Sequence, residues 1–446
     1  MKKNVSPEPW FLAVLLTGIL LAAANLRPGI SSLGPLLGNV IVDLHLSGLV
    51  AGLLTAAPAV CFALFGPLAP RMAKKRGPEI IVLGAMLAIA LGLALRAVAP
   101  NTTFFLLFSA VALCGIAVGN VLMPVLVKRW FPDRIGRVTG LYTTVLSLGT
   151  ALVAAVAVPV NGALGGTWRL GLGVWAIPAL VAAGVWVTVY LGVRRMGQTV
   201  QPAKPAIPAK PANPANPVGP AIPASPAQHS IRAEARVNPW RSSTAWWLAI
   251  FFGLQASAAY ISMGWLAKIF SDNGLSEATA GLLLAIVMGV SIPLAFVVPN
   301  LAARRPHQGM IVIVLGACGL LGHIGLWISP ASGSFVWAVL LGISACTFSL
   351  ALTMIGLKSR SSEGVIKLSA FAQSVGYLIS IPGPLVVGVL HEVTGGWRAS
   401  IGFMAAVLLV QIFAGYMAGR PGTIEGPVAP ADQPGTASDP KEFQTT

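Results

Sequence analysis

Glu79-Ile80-Ile81-Val82-Leu83-Gly84-Ala85-Met86-Leu87-Ala88-Ile89-Ala90-Leu91-Gly92-Leu93-Ala94-Leu95-Arg96 holds no charged or amide side chain between its two ends. An apolar run of about 20 residues is the length that crosses the hydrocarbon core of a bilayer as a helix. Together with the next two residues this run reads as a membrane span over 79–98. The rest of the chain repeats the pattern. Of 446 residues, 56% are hydrophobic and only 9% charged, and the mean hydropathy is +0.80. A soluble domain carries about 25% charged residues, so this chain cannot coat a water-facing surface. That excludes a soluble enzyme, a disulfide-built secreted domain and a disordered protein.

Twelve spans are expected, at 10–41, 47–70, 79–98, 102–127, 136–160, 169–193, 244–270, 276–300, 308–329, 333–357, 365–391 and 398–419. The formal net charge of +16 would suit nucleic acid, but its distribution argues otherwise. With the N-terminus placed in the cytoplasm, nearly all Lys and Arg fall in cytoplasmic loops and ends. Only Arg169, Lys268 and Arg398 lie on the outer side, and Arg27 and Arg96 lie within spans. Excess basic charge on the cytoplasmic side orients membrane proteins. The charge is therefore a topology signal with both termini inside, and no nucleic-acid partner is expected. Met1-Lys2-Lys3 leads into an apolar segment too long for a signal peptide and without a small-residue cleavage site. Cys61, Cys114, Cys318 and Cys346 all sit in apolar runs and read as small core residues, with no metal or disulfide implied.

Six spans precede the segment 196–241 and six follow it. Within that segment proline recurs at every third position from Pro202 to Pro226. Three residues per turn is the polyproline II period, so the segment reads as an extended cytoplasmic linker. The expected organisation is a six-helix bundle at 1–195, the linker, a second bundle at 242–420 and a disordered tail at 421–446. The halves resemble each other: Trp168-Arg169 opens the sixth span and Trp397-Arg398 the twelfth, an offset of 229 residues. Duplicated six-helix halves place a binding site near the bilayer midplane between them.

None of the thirteen acids falls in the middle of a span. Arg27 does, in Asn25-Leu26-Arg27-Pro28, about 25 Å along the helix from Trp10. Pro28 removes a backbone donor and invites a break there, tolerable where the helix faces protein or a cavity. An embedded arginine without an acid to pair with is a candidate anion-binding group. Arg96, near the outer end of the third span, reads either as snorkelling to the headgroups or as a substrate contact. Neutral candidates are Asn25, Asn120 in the fourth span, Tyr142 in the fifth, Gln255 and Tyr260 in the seventh, and Gln373 and Tyr377 in the eleventh. The last two are i and i+4 and share a face. Each could instead be an ordinary interhelical hydrogen bond. His323, in the ninth span, is expected to pack rather than bind, and His391 to be solvated at an outer end.

Five stretches taken together resemble the major facilitator superfamily, and within it the cyanate/nitroimidazole porters (CynX/NimT). They are Asn25-Leu26-Arg27-Pro28 with Gly34-Pro35-Leu36-Leu37; Gly119-Asn120-Val121-Leu122-Met123-Pro124 with Val127-Lys128-Arg129; Thr139-Gly140-Leu141-Tyr142-Thr143; Phe251-Phe252-Gly253-Leu254-Gln255; and Ala372-Gln373-Ser374-Val375-Gly376-Tyr377. The resemblance implies an all-α membrane protein of twelve transmembrane helices in two pseudo-symmetric bundles. It implies alternating access and a small anionic or electron-poor organic substrate in the bacterial inner membrane. Proton coupling is open, a monomer is expected, and no cofactor is called for. The family's loop between the second and third spans usually carries an Asp where this chain has Pro70. Lys268 is a further departure, standing where relatives would carry proline. The rival within the same fold is a proton-linked multidrug exporter, which would normally need an embedded acid. A membrane sensor or intramembrane enzyme would need an output domain or a nucleophile or metal constellation, and the sequence offers neither.

Overall fold

The ends of the apolar runs carry the signals that start helices. Ser47, Asn101, Ser242, Ser276 and Ser361 each accept a hydrogen bond at an N-cap, from the amides of Val50, Phe104, Ala245, Thr279 and Gly364. A side-chain oxygen at this position satisfies one of the amides that a helix leaves unpaired. Between such starts the chain has no lower-energy option than helix, because lipid offers nothing to bond a free backbone group. The computed structural model describes residues 9–196 and 238–425. The proline-periodic stretch up to residue 237 and the tail beyond Glu425 lie outside the described residues. Among the described residues, twelve helices are long and apolar enough to cross a membrane: Trp10–Ser31, Gly48–Phe65, Pro78–Ala97, Thr102–Trp130, Pro132–Ala163, Trp168–Arg195, Ser243–Asp272, Glu277–Ala303, Gly309–Ile328, Ser334–Leu357, Glu363–Thr394 and Arg398–Ala418. Among the described residues there is no strand.

The internal repeat has a physical counterpart. Trp168 donates its indole N–H to Asp43 Oδ2 at 3.1 Å, and Trp397 does the same to Asp272 Oδ2 at 3.0 Å. Both members of the second pair stand 229 residues after their counterparts. In each half this bond ties the end of the first helix to the start of the sixth. Arg169 adds an ion pair to Asp43 at 3.1 Å, and Lys268 one to Asp272 at 2.9 Å. Lys268 is therefore a partner of Asp272 at the helix end. His391 stacks on Trp397, ring centroids 3.8 Å apart, at the edge of the same cluster.

The first and seventh spans are irregular where they face the other half. The first is helical over Pro9–Asn25, breaks, and resumes at Pro28–Ser31 and Leu33–Leu44. The break is the one Pro28 predicts: Arg27 leaves helical geometry at φ −121°. The seventh widens into a π-helical turn at Ser262–Leu266. Around these irregular stretches the ends of the two halves away from the basic loops, called the outer ends below, meet backbone to backbone. A methyl on Gly34 would collide with the Met263 carbonyl oxygen, and one on Gly388 with the Gly48 carbonyl oxygen. Gly48 N also donates to Glu392 Oε2 at 2.8 Å. Small residues permit such close helix approach.

Candidate substrate cavity

On the opposite side of this seal the halves diverge and enclose a cavity of about 1030 Å³. Its mouth is lined by Gly66, Pro67, Pro70, Pro124 and Ile366. Exposed Arg71, Lys74, Lys75 and Arg76 follow directly after Pro70. The cavity therefore opens toward the basic face and is closed toward the other.

Arg27, Asn120, Tyr142, Gln255, Tyr260, Gln373 and Tyr377 all line it, so the two halves contribute to one wall. Arg27 stands at the break, as the residue before the Pro28–Ser31 turn, and lines the cavity from there. Its carbonyl oxygen is spent on the next turn, accepting from Ile30 N and Ser31 N, each at 2.9 Å. Its guanidinium makes no hydrogen bond or ion pair among the described residues. The hydroxyls of Tyr260 and Tyr377 lie within its electrostatic reach. Tyr377 is held by rings of both halves, stacked on Phe62 at 5.2 Å and edge-on to Phe252 at 5.3 Å. Gln373 donates to Ser369 Oγ at 2.7 Å, one turn away on the same face.

Two of the expected residues lie elsewhere. Asn25 is buried away from the cavity, with its amide nitrogen donating to the carbonyl oxygens of Leu21 and Pro178 at 2.8 and 3.1 Å. It closes the last turn before the break and ties it to the sixth span. Arg96 does not snorkel. It is 1% exposed, and its Nη1 donates to the Gly29 carbonyl oxygen at 3.0 Å. The local reason is packing: Gly92, one turn earlier, lets the fourth span approach backbone to backbone, which covers the third span's outer end.

Other cavity residues were not expected there from the sequence. Gln411, in the twelfth span, donates to Gln255 Oε1 at 2.7 Å, and both are buried. Gln255 in turn donates to the Ala345 carbonyl oxygen at 3.4 Å. The signal was present, since Gln411 is an amide inside Leu409-Val410-Gln411-Ile412. His323, expected to pack, also lines the cavity; its Nδ1 stands 2.7 Å from the Gly319 carbonyl oxygen one turn back. Cys61 and Cys114, read as separate core residues, bring their sulfurs to 3.8 Å as free thiols. Among the described residues no carboxylate lines the cavity and no group of His, Cys, Asp and Glu could hold a metal. A cationic fork beside phenols and amides, in a pocket otherwise apolar, can take a planar anion or nitro group end-on and a ring against the aromatic wall.

The family model of the Major Facilitator Superfamily matches residues 15–380. Over 411 residues the chain is 33% identical to the uncharacterized transporter YycB of Bacillus subtilis (strain 168), covering 91% of this chain and 93% of that one. Over 411 residues it is 32% identical to the 2-nitroimidazole transporter of Escherichia coli (strain K12), covering 91% and 95%. The cyanate transport protein CynX of the same strain is 28% identical over 405 residues, covering 88% and 93%. The crystal structure of a bacterial homologue of the human lysosomal transporter Spinster, inward-facing and occupied, superposes with a TM-score of 0.71 at 14% identity, covering 95% of this chain and 100% of that one. With twelve spans, a repeat that survives as paired Trp–Asp bonds and a cavity between the halves, the chain belongs to the Major Facilitator Superfamily as a membrane transporter of the cyanate/nitroimidazole porter group.

Proposed function

We propose that this transporter moves a small anionic or electron-poor organic solute across the bacterial inner membrane by alternating access, with Arg27 as its central binding group. The observation that carries this reading is the free Arg27 guanidinium at the helix break, lining a cavity built by both halves. A planar guanidinium binds carboxylate-like or nitro groups through two parallel N–H bonds, which a lysine cannot reproduce. Tyr142, Tyr260, Tyr377, Asn120 and Gln373 supply hydroxyl and amide partners, and Gln255 is braced by Gln411. Relatives that carry 2-nitroimidazole and cyanate fit the same chemistry. Basic loops beside the mouth support a cytoplasmic location for the open side and for both termini; on this reading the conformer is inward-open. The two six-helix bundles rock about the cavity as units.

The test is binding to purified protein, measured by thermal shift across cyanate, small carboxylates and nitroimidazoles. Wild type binds one of these classes, Arg27→Lys weakens binding and Arg27→Ala abolishes it with folding preserved. Wild-type affinity in a folded Arg27→Ala protein refutes the reading. A second reading, a proton-linked exporter, has one observation in its favour: His323 is the lining group other than Arg27 and the tyrosines that could carry a proton. Proteoliposome flux driven by a pH gradient, lost in His323→Gln with substrate binding intact, supports it.

A further inference from the structure

Behind the central cavity, toward the sealed outer face, lies a second and much smaller void of about 20 Å³. Arg96 projects into it from the third span, and Ser109 meets it from the fourth. Both side chains are buried, at 1% and 2% exposure. Among the described residues, of the Arg96 donors only Nη1 has a protein partner, the Gly29 carbonyl oxygen. Nε and Nη2 have none, and neither does Ser109 Oγ. Thr55, also in the wall, has committed its proton to the Gly52 carbonyl oxygen. Among the described residues no carboxylate lines this void. The nearby acids of the outer ends are engaged elsewhere, Asp43 with Trp168 and Arg169, and Glu392 with Gly48.

An arginine does not shed its charge by losing a proton. A buried charge held by one carbonyl dipole is costly, and burial is normally accompanied by a countercharge. A water would satisfy the free N–H groups but bring no charge. At about 20 Å³ the void is above the threshold for one water and has room for a single particle of about that size or slightly larger, too little for an organic solute. We infer that Arg96 and Ser109 form a site for a single halide-sized anion, chloride being the natural occupant, separate from the substrate cavity. The anion accepts from Arg96 Nε and Nη2 and from the Ser109 hydroxyl.

The walls come from both halves. Gly29 and Leu33 of the broken first span face Tyr260, Met263 and Gly264 of the seventh, and Tyr260 lines the large cavity as well. The site is therefore complete only while the outer ends are together. A bound halide favours the conformer in which they are closed, since a ligand stabilises the state that binds it.

The experiment is a thermal-stability titration of the full-length protein at constant ionic strength, exchanging sodium gluconate for sodium chloride or bromide. The expected result is a saturable rise in Tm with either halide. Arg96→Gln abolishes it, Ser109→Ala raises the half-saturating concentration by about 3–10-fold, and Arg27→Ala leaves it intact. Crystals grown in bromide show an anomalous peak beside the Arg96 guanidinium. Equal stability in gluconate and halide, a halide effect that survives Arg96→Gln, or one lost instead in Arg27→Ala overturns the inference. So does water density without a bromide peak. Should Arg96→Gln not fold, the wild-type bromide map and Ser109→Ala decide. Failure here leaves the reading of Arg27 untouched, because the substrate screen runs independently of the halide titration.

Discussion

Adding a single methyl group at Gly34 should reopen the outer side of the transporter. Gly34 lies in the first span after its break, and an alanine Cβ there would collide with the backbone carbonyl oxygen of Met263 in the seventh span. A carbonyl fixed in a helix cannot step aside as a side-chain terminus can, so the spans must part. Overpacking of this kind costs about 1–3 kcal/mol. The cost falls only on the conformer in which the outer ends meet. The better helix propensity of alanine, about 0.5–1 kcal/mol over glycine, acts in both conformers and cancels from their ratio. The closed-to-open ratio should therefore move by at least about 5-fold, and up to about 150-fold. The assay is pulsed electron paramagnetic resonance with labels at Val42 and Val393, which are 73% and 78% exposed at the outer ends of the first and eleventh spans, in a background with the native cysteines replaced. A longer-distance population should grow in Gly34→Ala. Gly84→Ala serves as control, because a Cβ there meets nothing within 4 Å. A wild-type distance distribution in folded Gly34→Ala would falsify the account of the outer seal.

The remaining predictions concern the cavity wall and the chain's C-terminal end. Gln411→Leu leaves Gln255 Oε1 without its donor and should lower stability by about 1–3 kcal/mol; in Gln255→Leu/Gln411→Leu much of that loss should be recovered, measured by chemical unfolding of the four proteins of the cycle. Tyr142→Phe and Tyr260→Phe keep the ring and delete the hydroxyl, so substrate affinity should fall by about 0.5–1.5 kcal/mol, and unchanged affinity in both would remove the tyrosines from the site. Glu425 folds back onto the start of the eleventh span, accepting from Ser359 Oγ at 2.5 Å and Arg360 N at 3.0 Å. Burial pushes its carboxyl up, but these bonds together with the Ser361 amide outweigh it and hold the group below its ordinary range. A depressed carboxyl contributes its stabilisation above its unfolded pKa, about 4.3, and loses it as pH falls through the lower folded value. Amide exchange at Arg360 and Ile424 should thus stay protected from neutral pH down to about 4.3, loosening only below; in Glu425→Gln protection should be weak throughout, and equal protection there would sink the docking role.

Much of this transporter was legible from residue order alone. The span count, the break at Pro28 and the Arg27 position follow from length, hydropathy and the missing proline N–H, all local properties. The shared face of Gln373 and Tyr377 follows from helical period. What the sequence could not say is which face of each helix meets which neighbour. A helix that is apolar all round, as most of these are, has no polar stripe to mark its outward side. Hence His323 and Gln411 were not placed in the cavity wall, although their types and their depth in the membrane were visible. For the same reason Asn25 could be read as lining a cavity when it in fact closes the last turn before the break against the sixth span. Arg96 shows the limit most sharply. Its position near a span end is equally compatible with the headgroups, and only the backbone-to-backbone approach of the fourth span at Gly92 and the turn of the first span at Gly29 decide that it is enclosed. Burial there is a property of three helices packed together, and no one of them carries it alone.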